Sequence, residues 1–192
     1  MTVRSQQSLR DFVSAVERAH PELVLRVTEP VEQQFQMQAL ALELERRRRF
    51  PVLFFEQVRG HSMPVVSNVM ASRRGLATAL GVDESALPET YAARLKEPVK
   101  PVVLDRPPFP VRVRRGDEVD LGALPIPTYF PGDGGAYLTA GLLIARDPAT
   151  GVATAGFHRF QVKGRDRLGV SLHSRRRMYD FQQREEKAGR GL

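Results

Sequence analysis

Between Glu97 and Val113 the chain reads EPVKPVVLDRPPFPVRV, five prolines in seventeen residues. Proline has no backbone N–H and a fixed φ, so it breaks helix interiors and is confined to the edges of sheets. A stretch this dense in proline belongs inside neither element, and it separates whatever lies on its two sides. The sequence therefore predicts two domains, residues 1–105 with the Pro-rich linker at their end and residues 106–192.

Before the linker, helices and strands alternate, the pattern of an α/β layer. In SLRDFVSAVERAHPELVLRV, Ser8 suits an N-cap, and Leu9, Phe12, Val13 and Val16 recur at helical spacing until Pro21. Leu23, Leu25 and Val27 then alternate with polar residues as a half-buried strand does. EQQFQMQALALELERRRR predicts a helix over residues 32–49 that carries Phe35, Leu40, Leu42 and Leu44, with its terminal arginines at the negative pole of the helix dipole. FPVLFFEQV and GHSMPVVSNVM predict strands, and SRRGLATALGV a helix closed by Gly81.

After the linker the pattern becomes an antiparallel meander. AYLTAGLLIARD, VATAGFHRFQV and RLGVSLH read as strands joined by the turns PATG and KGRD, and SRRRMYDFQQREEKAG as an amphipathic helix with Ser174 a candidate cap. Three strands and a helix rarely stand alone. The chain is expected to be a piece of something longer.

A formal net charge of +7 favours anionic partners: phosphate-bearing cofactors, nucleic acid or acidic lipids. The residue patterns match no RNA-recognition motif, zinc finger or helix-turn-helix, so nucleic acid is the weakest of these. With no cysteine, disulfides, thiolate catalysis and cysteine metal sites are excluded, which fits a cytoplasmic protein. Apolar runs such as YLTAGLLIA are too short to cross a bilayer as a helix, so no membrane partner is expected.

The residues that could carry chemistry lie in DPATGVATAGFHRFQVKG, Asp147 to Gly164. Strand alternation puts His158 and Phe160 on one face and Phe157 and Arg159 on the other. An arginine among apolar neighbours is costly unless it meets an anion, and its guanidinium matches two oxygens of a carboxylate or phosphate. The plainer alternative is a structural salt bridge to an acidic side chain. His61, beside a glycine in RGHSMP, reads as structural. PGDGGAY has glycines that let backbone approach a ligand but lacks the lysine of a phosphate loop, and Asp133 and Asp147 sit at turn positions. No cluster of His, Asp or Glu has metal spacing.

Taken in order, SLRDFVSAVERAHPELVLRV, RRRRFPVLFFEQVRGHSMPVVSNVMASRRGLATALGV, PVKPVVL and VDLGALPIPTYFPGDGGAYLTAGLLIARDPATGVATAGFHRFQVKGRDRLGV resemble the UbiD family of reversible decarboxylases. The series D-G-G-x-Y-x-T-x-G, D-P-x-T-G and H-R-x-Q-V is the most specific part. The resemblance implies an N-terminal α/β domain followed by the beginning of a split β-barrel that binds flavin. It also implies prenylated FMN, made by a flavin prenyltransferase, with Mn2+ and K+ at its phosphate. The substrate class is a small aromatic or α,β-unsaturated carboxylic acid, and the expected assembly is a homo-oligomer or a complex with a second chain. By the same match, Thr139 contacts the cofactor, and the backbone from Ala155 through Gly156 and Phe157 to His158 runs beside it. Arg159 is the active-site arginine that orients the substrate carboxylate.

Two positions depart from the family pattern. Its metal-binding asparagine is Thr154 here, and its metal-binding histidine falls at or near Arg177, with Arg176 beside it at a flavin-contacting position; His173 serves only if the alignment slips by a few residues. Threonine is a poor neutral ligand and arginine cannot bind a metal. Either arginine takes the cation's place at the phosphate, or the member is divergent with weakened cofactor binding. The family's catalytic glutamates would lie beyond Leu192, so the 192-residue chain is expected to be inactive alone. The competing readings are the N-terminal part of a decarboxylase and a non-catalytic flavin- or partner-binding module.

Overall fold

The computed structural model describes residues 8–100, 102–107, 109–173 and 177–191. The chain falls into two compact units that divide between Arg115 and Gly116.

In the first unit, α1 (Leu9–Ala19) begins where Ser8 Oγ accepts the N–H of Asp11 at 3.1 Å, and it buries Val13 and Val16. Pro21 ends it in a single 3-10 turn that leads into β1 (Val24–Val27). This strand pairs in parallel with β2 (Val52–Phe55), which pairs antiparallel with β3 (Val65–Ser67). A parallel pair needs a long crossover, and α2 (Gln36–Arg46) supplies it.

The helix is shorter than the expected span of 32–49, and its buried face is Met37, Ala41 and Leu44 rather than the stripe containing Phe35, Leu40 and Leu42. The spacing of i, i+4 and i+7 explains this face. Phe35 stands outside the helix as its N-cap at φ 63°, because the preceding chain is held elsewhere. Val31 bridges to Val58, and the N–H of Glu32 donates to Gln36 Oε1 at 2.6 Å. Val31, Met37, Ala41, Leu44, Leu53, Phe55 and Val58 close the core. Arg26 ties the layers together: Nε and Nη2 donate to the two oxygens of Glu17 at 2.7 and 2.8 Å, and the guanidinium lies 4.7 Å from the centre of the Phe54 ring.

Ser72 caps α3 (Arg73–Leu80) through the N–H of Gly75, and Gly81 ends it in the left-handed conformation, as expected from the sequence. Sequence patterning missed α4 (Leu87–Lys96), although proline in its first turn, Glu89 at its start and Arg94 and Lys96 at its end are helix signals. Arg94 donates to the carbonyl of Leu80 at 2.8 Å, which satisfies a terminal group of the preceding helix. The described residues of 97–115 carry neither helix nor strand, and Val99, Val102 and Val103 are exposed.

The second unit is the expected meander. The strands β4 (Tyr137–Arg146) and β5 (Ala153–Val162) form a long hairpin, and β6 (Leu168–Val170) pairs antiparallel with β5. The last element, α5 (Arg177–Lys187), buries Met178 and Phe181. Its suggested cap, Ser174, lies outside the described residues. No helix among the described residues is long and apolar enough to cross a membrane.

Candidate functional site

The hairpin turn is built by one carboxylate. Asp147 is buried; its Oδ1 accepts the N–H of Ala149 at 3.0 Å and its Oδ2 accepts the Thr150 hydroxyl at 2.9 Å. Arg184 of α5 reaches the same oxygen at 3.1 Å and so fastens the helix to the turn. The Arg184 guanidinium holds the Asp147 carboxyl below the usual range against the opposing effect of burial, with help from Ala149 and Thr150. This fastening was not foreseen from the sequence. Its one local signal is that Arg184 follows Asp180 by four residues and pairs with it as well, at 3.1 Å.

With the turn fixed, the register sets what each face presents. Leu142 opposes Phe157, Ile144 opposes Ala155 and Arg146 opposes Ala153. These residues share one face with Arg159, and the face is open, with Leu142, Ile144 and Phe157 exposed at 51%, 68% and 73%. Thr154, Gly156, His158 and Phe160 occupy the other face and are half-buried. The sequence-based division of His158 and Phe160 from Phe157 and Arg159 is what the register displays.

The pairing slips between Leu138, opposite Phe160, and Gly141, opposite His158. Two residues, Thr139 and Ala140, therefore stand against the single residue Arg159. Such a bulge bends a strand and re-aims its side chains. Gly141 is needed beside it, since a Cβ there would stand 2.2 Å from the Phe160 ring. Thr139 Oγ1 shares a 2.7 Å hydrogen bond with the Tyr129 hydroxyl.

The open face leads into a cavity of about 420 Å3 lined by Tyr137, Phe157, Arg159, Gln161, Lys163 and His173, among others. Of the residues expected at a site, Phe157, His158 and Arg159 line it, whereas Thr139, Thr154, Ala155, Gly156 and Arg177 do not. Arg177 is exposed at the first position of α5, and Arg176 lies outside the described residues. Among the described residues Arg159 has no acidic partner, so the alternative of a structural salt bridge finds no counterpart there. Tyr137, Gln161 and Lys163 were not anticipated. The period-2 row from Phe157 through Arg159 extends to Gln161 and Lys163 and was the signal available.

The donor set fits an anion and a flat ring better than a metal. Among the described residues no group of three His, Cys, Asp or Glu side chains converges. The positions where the resemblance places metal ligands hold Thr154, on the face opposite Arg159, and Arg177, which has no lone pair to offer. A second cavity, of about 520 Å3, lies beside Glu56, Arg59 and His61 of the first unit. There Arg59 pairs with Glu32 at 2.9 Å, and His61 Nε2 lies 2.8 Å from Gln33 Oε1.

Two family profiles match most of the chain. The profile of the UbiD 3-octaprenyl-4-hydroxybenzoate carboxy-lyase N-terminal domain matches residues 17–95, and that of the carboxy-lyase Rift-related domain matches residues 102–191. The uncharacterized protein in the cooM 5′ region of Rhodospirillum rubrum is 42% identical over 131 residues, which are 66% of this chain and 28% of that protein. The UbiD-class enzyme HmfF from Pelotomaculum thermopropionicum, in complex with FMN, superposes with a TM-score of 0.84 at 35% identity, over 96% of this chain and 40% of that one. An evolved dimeric form of HmfF, in complex with prenylated FMN, gives 0.79 at 33% identity, over 95% of this chain and 42% of that one. The chain thus spans well under half the length of these relatives.

Proposed function

This chain belongs to the UbiD family of carboxy-lyases, and from that premise we propose that it forms the N-terminal part of a reversible decarboxylase using prenylated FMN. Its substrates are small aromatic or α,β-unsaturated carboxylic acids. Residues 1–105 are the α/β domain and residues 106–192 the first part of the split β-barrel. Its partners are a flavin prenyltransferase as cofactor supplier, and either further copies of itself in a homo-oligomer or a second chain that supplies the C-terminal part.

The observation that carries the reading is Arg159, a guanidinium without an acidic partner among the described residues, beside Phe157 on the open face of a bulged hairpin. Its planar fork of donors matches a carboxylate bidentately. Leu142, Ile144 and Phe157 suit a flat ring laid against the sheet, since ligand pockets pair apolar lining with a few placed polar groups. When bound there, prenylated FMN supplies an electron sink for the charge left as carbon dioxide departs. The residues of this chain orient the carboxylate at Arg159 and cover one face of the ring. Replacing the lost carboxylate by hydrogen needs a proton donor, and the family resemblance puts that acid outside these 192 residues. The chain alone is therefore expected to bind without turnover. No step is assigned to a metal, because Thr154 and Arg177 do not fit one.

A second reading, a flavin- or partner-binding module without metal-dependent catalysis, is favoured by Thr154 and Arg177 themselves. It predicts that flavin is retained but no carbon dioxide is released when the rest of the barrel is supplied. The first test is co-expression with a flavin prenyltransferase, followed by the absorbance spectrum and mass of the small molecules bound to the chain and to Arg177→Ala. Prenylated FMN on the chain, and its loss from Arg177→Ala, supports a flavin wall in which arginine stands where the family has its metal. A chain that carries no flavin contradicts the proposal.

A further inference from the structure

The glycine-rich loop PGDGG, Pro131 to Gly135, is held at three points. The carbonyl of Pro127, before it, accepts the N–H of Tyr137, after it, at 3.0 Å. Asp133 Oδ2 accepts the N–H of Phe130 at 3.0 Å, and the N–H of Asp133 donates back to the Phe130 carbonyl at 3.0 Å. Gln161 Nε2 donates to the carbonyl of Gly134 at 2.7 Å, and a Cβ on Gly134 would stand 2.6 Å from that nitrogen. The first two of these points enclose Tyr129.

Ala136 turns its carbonyl to β5, where it accepts the N–H of Val162 at 2.9 Å, and Tyr137 turns its N–H the other way, to Pro127. The segment from Pro127 to Tyr129 therefore lies along the edge of β4 away from β5. Two residues past Pro127 and two past Tyr137, the Tyr129 hydroxyl and Thr139 Oγ1 meet at 2.7 Å. Tyr137 opposes Gln161, so alternation puts Tyr137 and Thr139 on the side of Arg159 as β4 enters its bulge. A phenol is the more acidic of the two hydroxyls, so Tyr129 donates and Thr139 keeps its own proton. Among the described residues that proton meets no acceptor.

We propose that Tyr129 is a positioning residue for the flavin: it holds the Thr139 hydroxyl at the bulge opposite Arg159, with the threonine proton turned to an acceptor on the flavin ring. The inference rests on the reading of the open face as a flavin wall. A lone surface hydroxyl rotates among several directions, whereas one whose lone pair is already engaged offers its proton in a fixed one, and a ligand then meets a donor ordered in advance. The pinned loop has the same purpose, since it is what brings Tyr129 back against β4.

Titration of the 192-residue chain with FMN, read by flavin fluorescence and by the absorbance maximum of the bound flavin, tests this. Tyr129→Phe keeps the ring and removes one oxygen. It is expected to weaken FMN binding about fivefold, the scale of one hydrogen bond, and to shift the absorbance maximum. Thr139→Val is expected to do the same, and the double variant to lose no more than Thr139→Val alone, because both substitutions break one chain of bonds. Unchanged FMN affinity in Tyr129→Phe, or losses that multiply in the double variant, overturn the assignment while leaving the flavin site standing. So does a loss of binding that only follows a lowered unfolding midpoint, which makes the hydroxyl a brace of the fold. An unaltered chain that binds no FMN overturns both.

Discussion

The two sheets of this protein are both three-stranded, but they end differently. In the first, every residue of β2 except Phe54 is buried, and the sheet closes on Val31, Met37, Ala41 and Leu44. Even its half-buried Phe54 is covered by the Arg26 guanidinium, which is itself tied to Glu17. In the second, one face of the long hairpin stands open, with Ile144 and Phe157 more than two-thirds exposed and Arg159 unpaired among the described residues. Contiguous exposed apolar surface of this kind marks a binding site or an interface. The first sheet satisfies itself, whereas the second leaves an apolar face and a cation exposed.

Substitutions on the two sheets should therefore act on different quantities. The largest effect on stability is expected from Leu53→Ala, which empties a fully buried position. It should lower the unfolding free energy of the first unit by about 2–5 kcal/mol in a denaturant titration. If Leu53→Ala costs no more than a surface change, the closed core is wrong. Next comes Gly141→Val, whose side chain would drive into the Phe160 ring. Overpacking costs about 1–3 kcal/mol, and here it should also displace the bulge opposite Arg159, seen as altered chemical shifts at residues 138–141 and 158–160.

A smaller effect belongs to acid. The folded-state pKa of Asp147 is depressed, first by Arg184. The stability contributed by that pairing is therefore present above the unfolded carboxylate range near ~3.9 and lost as pH falls through the lower folded value. Glu185, held down by Arg190, and Glu17, held down by Arg26, behave in the same sense. Asp147→Asn should make the acid limb of the second unit's stability profile shallower below about pH 4, and leave the first unit's limb unchanged. An unchanged limb in the second unit would remove the pairing from the account. The smallest stability effects should come from the open face. Phe157→Ala and Arg159→Ala are expected to shift unfolding by no more than about 0.5 kcal/mol, while both reduce flavin binding in a fluorescence titration.

Much of this was legible in the sequence because its signals are local. Ser8 marked a helix start by its side-chain oxygen and Gly81 a helix end by its backbone freedom, and the alternation in AGFHRFQV told which residues share a face with Arg159. The linker declared itself through proline. The rest depended on distant partners. The true buried face of α2 follows from Val31 pairing with Val58, twenty-seven positions away, which releases Phe35 from the helix. The tie between Asp147 and Arg184 likewise exists only after the strands have paired. Thr154 and Arg177 were visible as departures from a family pattern, and the fold adds that Thr154 faces away from Arg159.

The claim at the centre of this account is that the open face of β4 and β5 is a ligand wall and the first sheet is not. Amide hydrogen exchange with and without saturating FMN tests it directly. The account predicts slowed exchange within Tyr137–Val162 and across residues 168–173, with Val24–Val27 and Val52–Phe55 unchanged. Protection that appears in the first sheet, or in neither, would contradict it.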